Sequence, residues 1–386
     1  MLTPSSPNEA RNISARTMRR ERRLWDQPNL TPSLGCYVCK QFGECGGLHT
    51  ASQLMDCTGL CCGEPEGCTK VCKAKPGDFV SRVREIGGFD LGATPRAPEL
   101  PLPPLPAMVP LFFHGGRRQE VYSGGAVALP LYNLLRRTDG EPKFSNRSEL
   151  CAAFKIADDA TIILTGTAQD PPLERWWRYG DERGREIIAS LRALGVALVS
   201  TPNFSLFANA PRWDDLHSMK RIALTYAQFV QSGMPTALHV NGRTERDFER
   251  WATFLQARPE VTMLAYEFGT GAGRAGRATL HAGWLIKLAQ AVDRPLHLMM
   301  RGGLDVLPRL AEHFGSVTLI ETSAFMKTQH RQRAIASGNA AWGWEPAPTA
   351  VGEPLDHLLL HNIRTVGGAV ELLAASPRTW PVKPAA

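Results

Sequence analysis

Short β-rich runs alternate with longer amphipathic stretches over the last two thirds of the chain, and no other feature narrows the fold as far. Apolar runs occur at 161–165 (TIILT), 196–201 (VALVST), 236–240 (TALHV), 261–268 (VTMLAYEF), 295–300 (PLHLMM) and 316–321 (SVTLIE). An earlier run at 126–132 (AVALPLY) carries Pro130, which cannot donate to a sheet ladder. Between the runs, residues 182–194, 214–232, 244–256, 278–292 and 304–314 repeat their apolar side chains at helical spacing. Each strand-plus-helix unit takes about twenty to forty residues, as βα repeats demand. Six or seven units in series predict an α/β fold with a parallel (β/α) barrel-like domain; a doubly wound sheet is the alternative.

That domain is expected over 111–376, with 353–375 as one more helix and 377–386 as a tail. Residues 91–110 hold seven prolines in twenty, a composition that predicts an extended, semi-rigid linker and a domain boundary. Before it, 79–90 read as a short amphipathic helix ending at Gly87. Residues 1–30 read as a basic flexible tail, with Arg16 through Arg23 interrupted by the single acid Glu21. A short helix contacting an acidic partner is the other reading of that stretch.

Eight of the nine cysteines fall within 31–90, at Cys36, Cys39, Cys45, Cys57, Cys61, Cys62, Cys68 and Cys72. The first thirty residues are polar and lack the apolar centre of a secretory signal, so a cytoplasmic setting is expected, and disulfides are not. Thiolates at such spacing converge on metal ions, which replace a core that so short a segment cannot build. The segment is therefore predicted to be a small Cys-rich metal-binding module preceding the barrel. Only Cys36-x2-Cys39 has a clean zinc-knuckle spacing; the other intervals suit an iron–sulfur cluster about as well. His49 is a possible substitute ligand, and the radical-SAM spacing Cys-x3-Cys-x2-Cys is absent.

No apolar run reaches the roughly 18 residues of a membrane span, so no membrane partner is expected. Lys and Arg total 44 against 37 acids, a net charge of +7, and only ten of the 44 are Lys. An arginine bias suits bidentate phosphate contacts and points to a nucleotide or nucleic-acid partner; high-GC coding produces the same bias.

Chemistry in a parallel barrel collects where strands end, because only there do side chains from many strands converge. Here those ends are polar: Thr165 to Asp170, Thr201 to Ser205, His239 to Arg243, Glu267 onward, Arg301-Gly-Gly and Glu321 to Lys327. Glu267, Glu321, Arg301 and His239 are the candidate catalytic residues. A carboxylate would serve as general acid, base or nucleophile, with Arg301 between the two in strand order to separate their pKa values. Asn203, Asn241, Arg243 and Lys327 are candidates for holding substrate or phosphate, and Trp176, Trp177 and Trp213 for stacking on a base. Each has a structural alternative: a satisfied core histidine, an ion pair of Glu267 or Glu321 with Arg301 or Lys327, or tryptophans that merely pack. Burying so many unmatched polar groups is costly, which favours a site. Gly271-Ala-Gly273-Arg274-Ala-Gly276 fits the dinucleotide pattern GxGxxG between a strand and a helix. The following strand ends in Arg301 instead of an acid for a ribose, so an anion loop using backbone N–H groups, Arg274 and Arg277 is the expectation. A solvated glycine loop is its alternative.

The stretch from Trp176 to Gly242 resembles a family of uncharacterised bacterial and phage proteins. Its members carry an aromatic-acidic segment, a helix, then a strand ending in Thr-Pro-Asp-Phe-Ser-Leu-Tyr and a short Pro turn. The matching residues are Thr201-Pro-Asn-Phe-Ser-Leu-Phe207 and Ala210-Pro211. The chain has Asn203 where that family usually has Asp, which leaves a catalytic role at this position open. The barrel-like series with cysteine-bound metal is also loosely similar to tRNA-guanine transglycosylases in architecture, without their zinc signature.

Together these features point to a metal-containing barrel enzyme acting on a nucleotide, nucleobase or nucleic acid. A nucleic-acid-binding protein with a structural metal module, or an iron–sulfur redox protein, would share the same cysteines. Purified protein is expected to carry zinc or iron near stoichiometrically, and Cys39→Ala or Cys68→Ala to lower it, as elemental analysis will read. Metal-free protein with unchanged protease resistance in 31–76 would count against a metal module.

Overall fold

The computed structural model describes residues 78–206, 212–270, 277–338 and 340–375. Helix α1 (Asp78–Ile86) leads through a single 3-10 turn at Leu91–Ala93 and an extended, proline-rich segment into strand β1 (Met108–Pro110). Strand β2 (Ala126–Pro130) follows, then helices α2 (Leu131–Leu134) and α3 (Arg147–Phe154). Four regular units come next: β3 (Thr161–Thr165) with α4 (Asp170–Ala193), β4 (Val196–Ser200) with α5 (Arg212–Gln231), β5 (Thr236–His239) with α6 (Glu245–Gln256), and β6 (Met263–Glu267) with α7 (Arg277–Val292). Strand β7 (His297–Arg301) is followed by a 3-10 turn and the short α8 (Leu307–Ala311). Strand β8 (Ser316–Glu321), α9 (Ser323–Gln329), the hairpin β9 (Gln332–Ala336) and β10 (Trp342–Pro346), and α10 (Asp356–Ala374) complete the order.

All eight main strands are parallel and neighbour one another in chain order, with β1 beside β8. A parallel bridge from Leu111 to Ala128, with the Phe112 amide donating to Ala128 O at 2.9 Å, brings β1 back to β2. The sheet is thus a nearly closed barrel, the expected (β/α) arrangement. Pro130 fits because β2 meets β1 only through this bridge, so its missing N–H breaks no ladder.

Side chains alternate across each strand. Val109, Leu111, Ala126, Ala128, Ile163, Leu198, Ala237, Met263, Ala265, Met299 and Ile320 fill the barrel interior. Their neighbours, such as Ile162, Leu164, Leu238, Leu264 and Leu319, pack in a second core under the helices. No described helix is long and apolar enough to cross a membrane.

The proline-rich segment does not behave as a linker. Leu102 and Leu105 pack against the inner core, and Thr318 Oγ1 donates to Pro106 O at 3.0 Å. Arg258, 6% exposed, donates to Gly92 O at 3.0 Å, to Thr94 O and to Pro95 O. Arg96 reaches Ala257 O at 2.6 Å, and Gln231 Nε2 donates to Arg96 O at 2.8 Å. Prolines cost little backbone entropy here, and their carbonyls remain free to accept from the barrel's lower loops. The segment closes the N-terminal end of the barrel, and β1 begins within it, three residues before the expected boundary at 111.

A chain beginning at Met108 is therefore expected to lose cooperative thermal unfolding, because the inner core is opened to water. One beginning at Asp78 should keep it, as calorimetry of the two will show.

Candidate functional site

Strand alternation and register determine what lines the C-terminal mouth. Continuing inward positions toward the strand ends gives Thr165 after Ile163, Ser200 after Leu198, His239 after Ala237, Glu267 after Ala265 and Arg301 after Met299. Phe113 follows Leu111 in the same way and packs on the inner core. The ladders pair Pro130 with Thr165, Ser200 with Ala237, His239 with Ala265, Glu267 with Arg301, and Arg301 with Ile320. An eight-stranded barrel staggers by about one residue per strand, so each interior layer draws on alternate strands. Leu111, Thr165, His239 and Arg301 then share a layer, from β1, β3, β5 and β7, and Phe113 lies two residues beyond Leu111. Ala128, Ser200, Ala265 and Ile320 form the layer beneath.

Glu267 and Arg301 meet directly, Nε to Oε2 at 2.5 Å. The Gly269 amide donates to Oε1 at 2.6 Å, and the Thr167 hydroxyl also bonds the carboxylate. The carboxylate side chain is 3% exposed and the guanidinium 24%, so Arg301 keeps an edge open to the mouth. Burial raises the Glu267 pKa above the ordinary carboxylate value, against the opposing pull of Arg301 and the hydrogen bonds. The loops after β6 and β7 touch here. A Cβ on Gly302, whose φ is +69°, would lie 2.7 Å from Gly269 N, so only glycine fits.

His239 is 2% exposed, and neither ring nitrogen has a hydrogen-bond partner. Burial, then the charge of Arg301, lowers its pKa to about 3, which leaves the imidazole neutral with one donor and one acceptor unused. Thr165 Oγ1 is likewise buried and unpartnered.

Other expected site residues have different duties. Glu321 alternates with Val317 and Leu319 of the outer core, so it faces the helix layer and not the mouth. It accepts from the Ser323 amide at 2.6 Å, the Ala324 amide at 2.8 Å and the Ser323 hydroxyl, capping α9. Burial raises its pKa while these bonds oppose the rise. The expected carboxylate pair across Arg301 is thereby corrected to Glu267 alone. Arg243 is also corrected: it is fully buried and bonds Asp215 at 2.6 Å, tying the start of α5 to the start of α6. Asn241 Nδ2 donates to Asn203 Oδ1 at 2.7 Å and to Phe204 O at 3.3 Å, which lashes the loops after β4 and β5 together. Arg277 opens α7 as a buried residue, and the Lys327 ammonium lies 5.8 Å from the Trp344 ring centroid. Trp176 stacks on Phe229 at 5.0 Å and Trp177 Nε1 donates to Glu85, so both pack helices together. Gly271, Gly273 and Arg274 lie outside the described residues, as do the Trp213 side chain and all eight cysteines of 36–72.

Thr165 stood among the polar strand ends without a role of its own, and sequence reasoning passed over Ser200 and Phe113. They carry no charge, and only parity along the closed barrel singles them out. Among the described residues no group of three His, Cys, Asp or Glu is placed to hold a metal ion, and Cys151 is buried in the outer core. No protein-family model and no curated protein matches the chain.

Two outcomes follow from these environments. Asp215→Asn should cost about 3–5 kcal/mol in urea unfolding, because it removes the charged partner at 2.6 Å from the fully buried Arg243. His239 and His217 both have folded pKa values near 3 against 6.5 unfolded. The unfolded chain therefore takes up protons first on acidification. Stability from these groups is full above pH 6.5 and is lost as pH falls toward 3. His239→Gln should flatten that loss, measured by urea midpoints at pH 7, 5.5 and 4.5.

Proposed function

We propose that this chain is a barrel enzyme acting on a nucleotide, free or within nucleic acid, at the C-terminal mouth. Glu267 is its acid–base residue and Arg301 its anion contact. The observation that carries this reading is the buried Glu267–Arg301 pair at adjoining strand ends, with the guanidinium edge open to the mouth. A carboxyl whose pKa is raised by burial holds a proton more readily than a solvated one, which suits acid–base exchange. The net charge of +7 and the arginine bias support an anionic substrate.

In the same reading, Cys36, Cys39, Cys45, Cys57, Cys61, Cys62, Cys68 and Cys72 hold an iron–sulfur cluster or zinc. The described chain enters at the mouth end: on α1, Arg82 pairs with Asp214 and Glu85 with His217, both near the start of α5. Cys72 stands six residues before α1 in sequence, within about 21 Å of extended chain. The metal would serve the substrate-facing end or electron transfer to it.

Arg301→Gln should weaken nucleoside monophosphate binding about tenfold to a hundredfold, the loss of one charge-assisted contact of roughly 1.5–3 kcal/mol. Calorimetric titration of the full chain measures this. Glu267→Gln should retain binding and abolish turnover of mononucleotides or oligonucleotides followed by NMR. Unaltered binding by Arg301→Gln would remove the anion contact from the mouth.

A further inference from the structure

The interior layer at the mouth has four members of different chemistry. Leu111 is apolar, Thr165 offers a hydroxyl, His239 an imidazole and Arg301 a cation, and Phe113 lies two residues beyond Leu111 on β1. His239 and Thr165 are 2% and 5% exposed, yet both imidazole nitrogens and the threonine oxygen lack partners. Such groups are usually satisfied, because each one left unpaired costs a desolvation penalty. Asn362, equally buried, bonds Thr328, Gln332 O and Ala334 N, whereas Tyr132 Oη and Ser232 Oγ are buried without a partner as His239 and Thr165 are. The layer below supplies Ala128, Ser200 and Ala265, where barrel layers usually carry bulky branched residues. Small side chains and unspent hydrogen bonds coincide there, beside the branched Ile320.

Resting on the nucleotide reading above, we propose that His239 and Thr165 form the subsite for the uncharged, amide-like edge of a nucleobase whose phosphate meets Arg301. A neutral imidazole presents one donor and one acceptor, and the hydroxyl presents either, which matches an edge carrying both kinds of group. An anion would use only the donors and leave the imidazole acceptor facing a like charge. Phe113, two residues beyond Leu111 on the strand across the barrel from His239, supplies a face for a planar ring, as aromatic side chains do for bases elsewhere. His239 is a positioning and specificity residue in this assignment, with no proton transferred by it.

The test uses the full chain with four nucleoside monophosphates, the four free bases, ribose 5-phosphate and inorganic phosphate. Binding is read by calorimetry and by the 15N resonances of the His239 ring. One base and its monophosphate should shift the His239 resonances, and that monophosphate should bind at least tenfold tighter than ribose 5-phosphate. His239→Phe and Thr165→Val should each erase most of that preference. Their melting temperatures should equal or exceed the parent's, because an unpartnered polar atom has been removed. If ribose 5-phosphate binds as tightly as every monophosphate, or both variants keep the preference, the subsite is refuted while the anion contact stands. If a base shifts His239 and phosphate adds nothing, the subsite holds and the role of Arg301 fails. Binding by none of the probes overturns both. Melting temperatures lowered by several degrees in both variants would make the pair structural and end the assignment.

Discussion

Eight strands staggered around one axis leave each residue no choice of side: parity decides whether it enters the barrel or the helix layer. Everything at the mouth descends from that constraint. Ala265 and Met299 are inner residues, so Glu267 and Arg301 emerge on the inside and next to each other in register. Leu319 is an outer residue, so Glu321 caps a helix even though it ends its strand at a similar height. A one-residue slip would exchange these roles, and the hydrophobic pattern forbids it, because the whole strand would turn its apolar set to the wrong face.

Buried charge is handled differently at the mouth and in the frame around it. Arg243 with Asp215, and Arg118 with Asp356, are ion pairs of almost fully buried side chains. The first joins two helix starts; the second ties the loop after β1 to the start of α10, helped by the Gln119 amide on Asp356 and by Arg118 on Phe154 O. Such pairs lock geometry more than they add stability, since desolvation offsets much of the attraction. Within the barrel, Glu267 is held by Arg301 and Gly269, but His239 and Thr165 are held by nothing polar. The ion pairs of the frame fix loops, while His239 and Thr165 inside the barrel leave hydrogen bonds unused.

Much of this was legible in the sequence, and the limits have physical causes. Seven of the eight barrel strands coincide with the apolar runs to within about two residues, because strands covered on both faces read as continuous hydrophobic stretches. Strand β1 escaped because it is three residues long and ends in Pro110, inside a composition that otherwise signals a connector. The hairpin β9–β10 escaped as well: its exposed face carries Arg333 and Glu345 as an ion pair, and its strands lack any apolar run. Strand-final Glu267 and Glu321 looked equivalent because a list of strand ends contains no parity. Parity becomes readable only once neighbouring interior residues are known. The same blindness hid Ser200 and Phe113, whose chemistry is ordinary and whose position is not.

The proton inventory narrows what the mouth can do. His239, with a pKa near 3, is not available as a base at neutral pH, so the imidazole can only donate and accept hydrogen bonds. Glu267 is the remaining titratable inward group, and both its oxygens are engaged, one by the Gly269 amide and one by Arg301. A proton taken on Oε2 competes with the Arg301 bond. The Arg301 bond is the one a substrate can compete for, because the guanidinium is partly exposed and an arriving phosphate would draw it away. Binding of the anion would then free a carboxylate already disfavoured by burial, and its basicity would rise at the moment substrate arrives. In the proposed function, anion recognition and proton transfer would be joined through one guanidinium, a reason for a buried carboxylate to stand beside a partly exposed arginine at the mouth.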